Sequence, residues 1–130
     1  MSRVAAEKAT LAGPAGDIEA VFEWPEAAAA PVAVMVVCHP HPLHGGTMTN
    51  KVVTTLARTA HGLGAATLRF NFRGVGASAG THDDGRGEVD DALAAISAAR
   101  QRWPDAPLWL GGFSFGGVVA LRASTRAEAG

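Results

Sequence analysis

A run of seven consecutive apolar residues, Val32 to Cys38, constrains the fold more than any other feature of the sequence. The run is rich in β-branched residues and has no polar side, which is typical of a strand covered by helices on both faces. Strands of this kind belong to parallel sheets, because the helices that connect parallel strands also cover the sheet. The sequence therefore predicts an α/β fold with this strand in the middle of the sheet.

The segments after this run alternate between helix and strand patterns. Apolar residues at helical spacing from Val53 to Leu63 predict a helix capped by Asn50 or Thr49, and a short buried strand over 65–70 follows. Three further elements are predicted: a helix from near Glu88 to Pro104, a strand over 107–111 and a helix over 115–125. This alternation predicts a doubly wound, mostly parallel sheet.

The chain upstream of this run predicts an antiparallel hairpin. Residues 7–13 and 17–24 are strand-like, and Gly13-Pro14-Ala15-Gly16 between them is a turn signal. The second strand alternates Ile18, Ala20 and Phe22 with acidic residues, so one of its faces should be buried. A chain of 130 residues has the length of one domain, and we expect residues 1–130 to form a single domain.

The composition excludes several classes of protein. The formal net charge is −1 and the charges are spread along the chain, so no basic stripe is available to bind nucleic acid. No apolar run approaches the ~20 residues that span a bilayer, and the N-terminus lacks the apolar segment of a signal peptide. The single cysteine, Cys38, favours a small buried side chain. We expect a cytoplasmic protein with no nucleic-acid or membrane partner.

The most informative motif is the segment Gly112-Phe113-Ser114-Phe115-Gly116, a G-x-S-x-G between a predicted strand and a predicted helix. A sharp strand-to-helix turn presents its serine as a nucleophile and needs small residues two positions away. The N–H of Phe115 would lie at a helix N-terminus, where it can stabilise an oxyanion. The alternative is a serine that only caps the helix.

A second constellation is the loop His39-Pro40-His41-Pro42-Leu43-His44, which follows the apolar strand. With a nucleophile turn of this kind, the second oxyanion donor comes from the loop after the third strand. Proline has no N–H, so His41 is the candidate donor and Leu43 the alternative. Whether His39 and His44 are functional or structural stays open at this point.

Two alternatives involve bound groups. Three imidazoles at the end of a strand could bind a metal, although no further cluster completes the ligand set. Glycines in the loop over 69–80 are similar to a dinucleotide-binding turn, with Asp90 or Asp91 as the ribose ligand. That motif needs a helix directly after its last glycine, and loop residues 81–85 follow instead. We therefore predict neither a cofactor nor a metal.

Taken together, three segments of the chain resemble the α/β-hydrolase superfamily, most closely its small bacterial predicted hydrolases. The segments are His39 to Lys51, Phe70 to Ser78, and Gly112 to Gly116. The resemblance implies that the predicted strands are the first five of that fold, with Ser114 as nucleophile and the N–H groups of His41 and Phe115 as oxyanion donors. It implies an esterase, thioesterase, peptidase or lactone hydrolase without identifying the substrate.

One departure from the superfamily concerns the catalytic triad, which runs Ser, acid, His along the chain. The 16 residues after Ser114 contain no Asp and no His, Glu128 is their one acid, and all five histidines precede the serine. The resemblance therefore implies a truncated α/β-hydrolase fold, the N-terminal portion of a serine hydrolase for a small ester-like substrate. Without a base, hydrolysis through an acyl-serine should be impaired.

The alternative function is a non-catalytic interaction module. If no strand follows the one predicted over 107–111, that strand is a sheet edge with apolar residues on both faces. Edges of this kind pair readily with other chains. We therefore predict self-association through this edge.

Overall fold

The computed structural model describes residues 3–27 and 30–129, without the side chains of residues 128 and 129. The predicted linker over 26–31 thus lies partly outside the described residues, as does the side chain of Glu128. The strands are β1 (Val4–Gly13), β2 (Gly16–Pro25), β3 (Val34–Cys38), β4 (Ala66–Phe70) and β5 (Leu108–Gly112). The helices are α1 (Lys51–Gly62), α2 (Arg86–Arg102) and α3 (Phe115–Ala129), with a 3₁₀ turn at Pro42–His44.

The N-terminal hairpin is confirmed. β1 and β2 pair antiparallel with Gly13 opposite Gly16, and the pairing continues to Val4 opposite Pro25. Both strands are longer than predicted, because pairing with a neighbour extends a strand beyond the residues whose own pattern favours it. Ile18 and Phe22 of β2 are buried, as their alternation predicts.

The sheet has the order β1-β2-β4-β3-β5, with β3 parallel to both β4 and β5. The prediction that the apolar run occupies the middle of the sheet is wrong, since β4 lies there and β3 is next to it. β2 pairs antiparallel with β4, and this pairing decides which of the two buried strands is central. The run also enters the sheet later than predicted: Val32 precedes β3 and is 55% exposed.

The helices cover both faces of the sheet, which confirms the doubly wound architecture. α1 contributes Ala60 to a small cluster with Ala33 and Met35 on one face. α2 and α3 pack on the other face, where the alternate residues Val34 and Val36 of β3 join the main core. Successive residues of β3 point to opposite faces of the sheet, so this strand contributes side chains to the core on both faces.

Two helix boundaries differ from prediction. α2 begins at Arg86, before the predicted start, because the Glu88 carboxylate accepts hydrogen bonds from the N–H groups of Asp83 and Gly85 at its N-terminus. α3 continues beyond Thr125. In the described part of the chain, we find no helix with the length and hydrophobicity that crossing a membrane requires.

Candidate functional site

The site is built around the turn between β5 and α3. Ser114 occupies this turn with a φ of +57°, in the left-handed region that non-glycine residues rarely adopt. Its side chain is exposed, and α3 begins at the next residue. Strained backbone at an exposed serine between a strand and a helix is the geometry of a nucleophile turn.

The two glycines of the motif allow the strand and the helix to approach closely. A Cβ atom on Gly116 would overlap the carbonyl oxygens of Cys38 and His39 at the end of β3. A Cβ on Gly112 would overlap the carbonyl oxygen of Gly116 and lie 2.7 Å from the N atom of Gly117. The requirement for small residues at these two positions is therefore steric, and it comes from backbone atoms that cannot move aside.

Near this turn, the backbone N–H groups of Phe115 and His41, the two predicted oxyanion donors, have no intramolecular acceptor among the described residues. The rings of these two residues are in contact, with centroids 4.8 Å apart. By contrast, the N–H of Leu43 donates to Nδ1 of His41 at 3.1 Å. Of the two candidates in this loop, His41 is therefore the one with an N–H that is free to act.

His39 has a structural role. It is fully buried, its Nε2 accepts a hydrogen bond from the N–H of Phe72, and its Nδ1 lies 2.7 Å from the carbonyl oxygen of Pro40. Burial lowers the pKa of the imidazole, so the neutral ring that these contacts require is favoured. His39 thereby ties the loop after β3 to the loop after β4.

The alternatives with bound groups gain no geometric support. Both ring nitrogens of His39 are engaged, and no group of three or more His, Cys, Asp or Glu side chains within residues 3–27 and 30–127 is arranged to hold a metal ion. Asp91, a candidate ribose ligand, instead accepts hydrogen bonds from Nε and Nη2 of Arg73. The thiol of Cys38 is buried, and burial raises its pKa to about 12, so it is an inert core side chain.

The loop after β4 is held by polar contacts that the sequence patterns do not reveal. The Glu19 carboxylate accepts hydrogen bonds from the N–H of Ala77 and the amide of Asn71, each at 2.8 Å, and these lower its pKa. Oδ1 of Asn71 in turn accepts from the N–H of Met48 at 2.8 Å. β2 thus supplies a carboxylate that joins the loops following β3 and β4.

Arg73 provides a second anchor for this loop. Its backbone N–H and its guanidinium all donate to the Asp91 carboxylate, which is 1% exposed, at distances of 2.9 to 3.1 Å. The hydrogen bond to Asp91 is the main cause of a raised pKa for Arg73. The first half of the loop after β4 is therefore anchored to β2 through Glu19 and to α2 through Asp91.

One residue near the site was missed by sequence reasoning, which noted His82 only as a histidine preceding the serine. Its ring centroid lies 4.8 Å from that of His41 and 5.6 Å from that of Phe115. The available signal is the run His82-Asp83-Asp84, in which an imidazole stands among carboxylates. No local pattern shows that this run folds back onto the loop after β3.

Comparison with known proteins shows the family to which the chain belongs. A family model described as serine aminopeptidase, S33, matches residues 29–130. The chain belongs to this family of α/β hydrolases. The resemblance inferred from the three sequence segments is thereby confirmed.

Three relatives illustrate the match. An α/β serine hydrolase without a lid from Xanthomonas campestris is 45% identical with a TM-score of 0.89, and the alignment covers 95% of this chain and 57% of that one. An α/β serine hydrolase homologue from Coxiella burnetii is 44% identical with a TM-score of 0.86, covering 95% and 58%. An uncharacterized protein of Rickettsia prowazekii is 44% identical over 115 residues, covering 88% and 48%. The chain thus spans about half the length of these relatives.

Proposed function

We propose that this chain carries the nucleophile and the oxyanion donors of a serine hydrolase acting on small esters, thioesters or amides. The observation that supports this proposal most strongly is the left-handed backbone of exposed Ser114 between β5 and α3. A serine that only caps a helix has β-region angles, so the cap alternative does not account for this conformation. Conformations of this kind persist at functional sites because surrounding structure enforces them.

The chemistry would proceed by acyl transfer. Oγ of Ser114 attacks the substrate carbonyl carbon, and the carbonyl oxygen takes up the negative charge beside the N–H groups of Phe115 and His41. Collapse of this intermediate breaks the bond to the alcohol, thiol or amine, which leaves with a proton. Water then attacks the acyl-serine and releases the acid.

The proton of Ser114 must pass to a base. In the triad order of this fold, that base is a histidine after the serine, and here all five histidines come before it. We therefore propose that the 130 residues alone hydrolyse esters slowly, because loss of a triad member removes several orders of magnitude in rate.

A fluorophosphonate probe, which phosphonylates nucleophilic serines, tests the proposal by intact mass, and without a base the reaction should be slow. We expect one adduct, which Ser114→Ala abolishes and the matched control Ser97→Ala retains, because Ser97 is exposed on α2. Labelling that persists in Ser114→Ala would refute the assignment, as would the absence of labelling in the parent chain at long incubation.

A second candidate function, a non-catalytic interaction module, is favoured by a different observation. Among the described residues, β5 pairs only with β3, so its other edge has no partner strand. Beside it, Val118 and Leu121 of α3 are 51% and 70% exposed. We propose that this edge supports association between copies, which sedimentation velocity would detect as a concentration-dependent dimer.

A further inference from the structure

Four rings meet where the loops after β3 and β4 reach α3. The ring of His41 is in contact with those of His44, His82 and Phe115, at centroid distances of 4.6 to 4.8 Å. His82 also contacts Phe115 directly. His82 therefore touches both residues whose N–H groups are the proposed oxyanion donors.

The polar atoms of His82 are in an unusual position. The side chain is 11% exposed, Nδ1 lies 3.0 Å from Oε2 of Glu88, and Nε2 lies 3.4 Å from Oδ1 of Asp84. Despite these distances, neither nitrogen forms a hydrogen bond of good geometry within the described residues. Buried polar atoms without partners are costly, and an apolar ring would fill this space without that cost. Packing alone therefore does not explain a histidine here.

The carboxylate beside His82 is rigidly placed. Glu88 is fully buried and accepts hydrogen bonds from the N–H groups of Asp83 and Gly85 at 2.9 and 3.0 Å. Asp84, by contrast, is 90% exposed and has a left-handed φ of +51°. The ring thus lies between one buried and one exposed carboxyl group.

Other ionisable groups lie on each element that neighbours His82. They are His41 and His44 of the loop after β3, Arg73 and Asp83 of the loop after β4, and Arg122 of α3. Arg73 is paired with Asp91, and Arg122 borders Gly85 on the side of Phe115. The nitrogens of His82 face the carboxylates of Glu88 and Asp84 rather than any of these groups.

We propose that His82 is a positioning residue for the oxyanion donors, an inference that rests on the proposed function. An imidazolium presents an N–H to both carboxylates, whereas a neutral ring turns one lone pair toward one of them. A change of protonation therefore moves the ring relative to Glu88. Because the ring packs on His41 and Phe115, their N–H groups move with it.

NMR on the Ser114→Ala protein tests this coupling without requiring activity. We expect the backbone N–H signals of His41 and Phe115 to change with pH in step with the ring signals of His82, with a shared midpoint. His82→Phe should remove that step, whereas the control His61→Gln, on α1, should leave it unchanged. Retention of the same step in His82→Phe would overturn the proposal.

A second variant guards against misfolding of His82→Phe. Asp84→Asn removes one of the two charges at an exposed position, and asparagine tolerates the left-handed backbone found there. Loss of a nearby anion disfavours the imidazolium, so all three midpoints should move together to lower pH. If the His82 midpoint moves and those of His41 and Phe115 stay, the ring does not position the donors.

Labelling kinetics separate this proposal from the hydrolase proposal. In the parent chain with Ser114 intact, His82→Phe should slow fluorophosphonate labelling about tenfold and remove its dependence on the His82 midpoint, since small misplacements of a site are costly. An unchanged rate and pH profile in folded His82→Phe would contradict the inference. If no variant is labelled at all, the hydrolase proposal fails, while the NMR titration still decides whether His82 moves the two N–H groups.

Discussion

The two flanks of β3, toward β4 and toward β5, differ in how many of their polar groups have a partner. On the β4 flank, polar groups such as Glu19, Asn71 and Arg73 find partners on neighbouring elements. On the β5 flank, the strand edge has no partner within the described residues, and a groove of about 420 Å³ runs between β5 and α3. Leu110 and Leu121 contribute to the walls of that groove.

This difference shows how the candidate site is supported. Ser114 lies at the boundary between the two flanks. The proposed oxyanion donor His41 is on the β4 flank, and the exposed side chain of Phe113 is on the β5 flank. Rigid groups that receive charge need fixed surroundings, which the β4 flank provides. Exposed apolar surface on the other flank is suited to contact with further protein.

The largest loss of stability is expected when β3 and α3 are forced apart. Gly116→Ala places a Cβ against the carbonyl oxygens of Cys38 and His39, so β3 and α3 must separate. We expect a loss of about 3 kcal/mol in the free energy of unfolding, measured by urea denaturation. Gly62→Ala is the control, because a Cβ there meets no atom within 4 Å and alanine favours the helix. Equal effects of the two substitutions would contradict the steric account.

A slightly smaller loss of stability is expected when the ion pair between Arg73 and Asp91 on the β4 flank is broken. Asp91→Asn leaves the Arg73 guanidinium without its carboxylate at a site where Asp91 is 1% exposed, which should cost about 3 kcal/mol or somewhat less. The matched change Asp90→Asn breaks an ion pair with Arg126 that is about half exposed and should cost below ~1 kcal/mol. Thermal denaturation of both variants measures the difference, and similar losses would show that burial of the pair is unimportant.

The pH dependence of stability tests the link between the loops. Burial holds the pKa of His39 below its ordinary value of 6.5, so the unfolded chain binds the proton more tightly than the folded chain. The corresponding stability is complete above about pH 6.5 and is lost as the pH falls through the folded pKa. His39→Gln should cost about 1 kcal/mol at pH 8 and make stability less dependent on pH below 7.

The control for this titration is His61→Gln. The pKa of His61 is also lowered by burial, so this variant measures the part of the pH dependence that arises away from the site. Urea denaturation at pH 5, 6, 7 and 8 gives both contributions. A slope in His39→Gln that equals that of the parent protein would show that His39 does not titrate on unfolding.

The smallest effect on folding stability is expected from a substitution on the β5 flank. Leu121→Glu adds a charge to an exposed position of α3 beside the groove, and it should convert a dimer to a monomer with little change in melting temperature. Leu63→Glu is the control, because Leu63 is 64% exposed at the end of α1. Sedimentation velocity that finds the parent chain monomeric at all concentrations would exclude this interface.

Much of the fold was predictable because it depends on local patterns. The turn at Gly13 to Gly16, the alternation along β2 and the apolar run ending at Cys38 each specify an element through neighbouring residues. The exact strand ends and the order of β3 and β4 were not predictable. They depend on which strand pairs with β2, and both candidates are five residues long and mostly buried.

The residues of the candidate site likewise fall into those that local patterns predict and those that they do not. Ser114, Phe115 and His41 could be proposed from sequence because the glycine spacing and the two prolines restrict which groups are small and which carry an N–H. The roles of Glu19, Asn71 and Glu88 were not found. Each of these acts through a contact with a loop whose position follows from sheet order.

The sequence alone determined the type of each element, the hairpin turn and the sharp bend at Ser114, because backbone preferences act over a few adjacent residues. Tertiary structure decided the central strand, the pairing of Arg73 with Asp91 and the approach of His82 to His41 and Phe115. The physical reason is that these contacts join residues far apart along the chain. Their energies depend on how the packed sheet places the loops, and no local pattern carries that information.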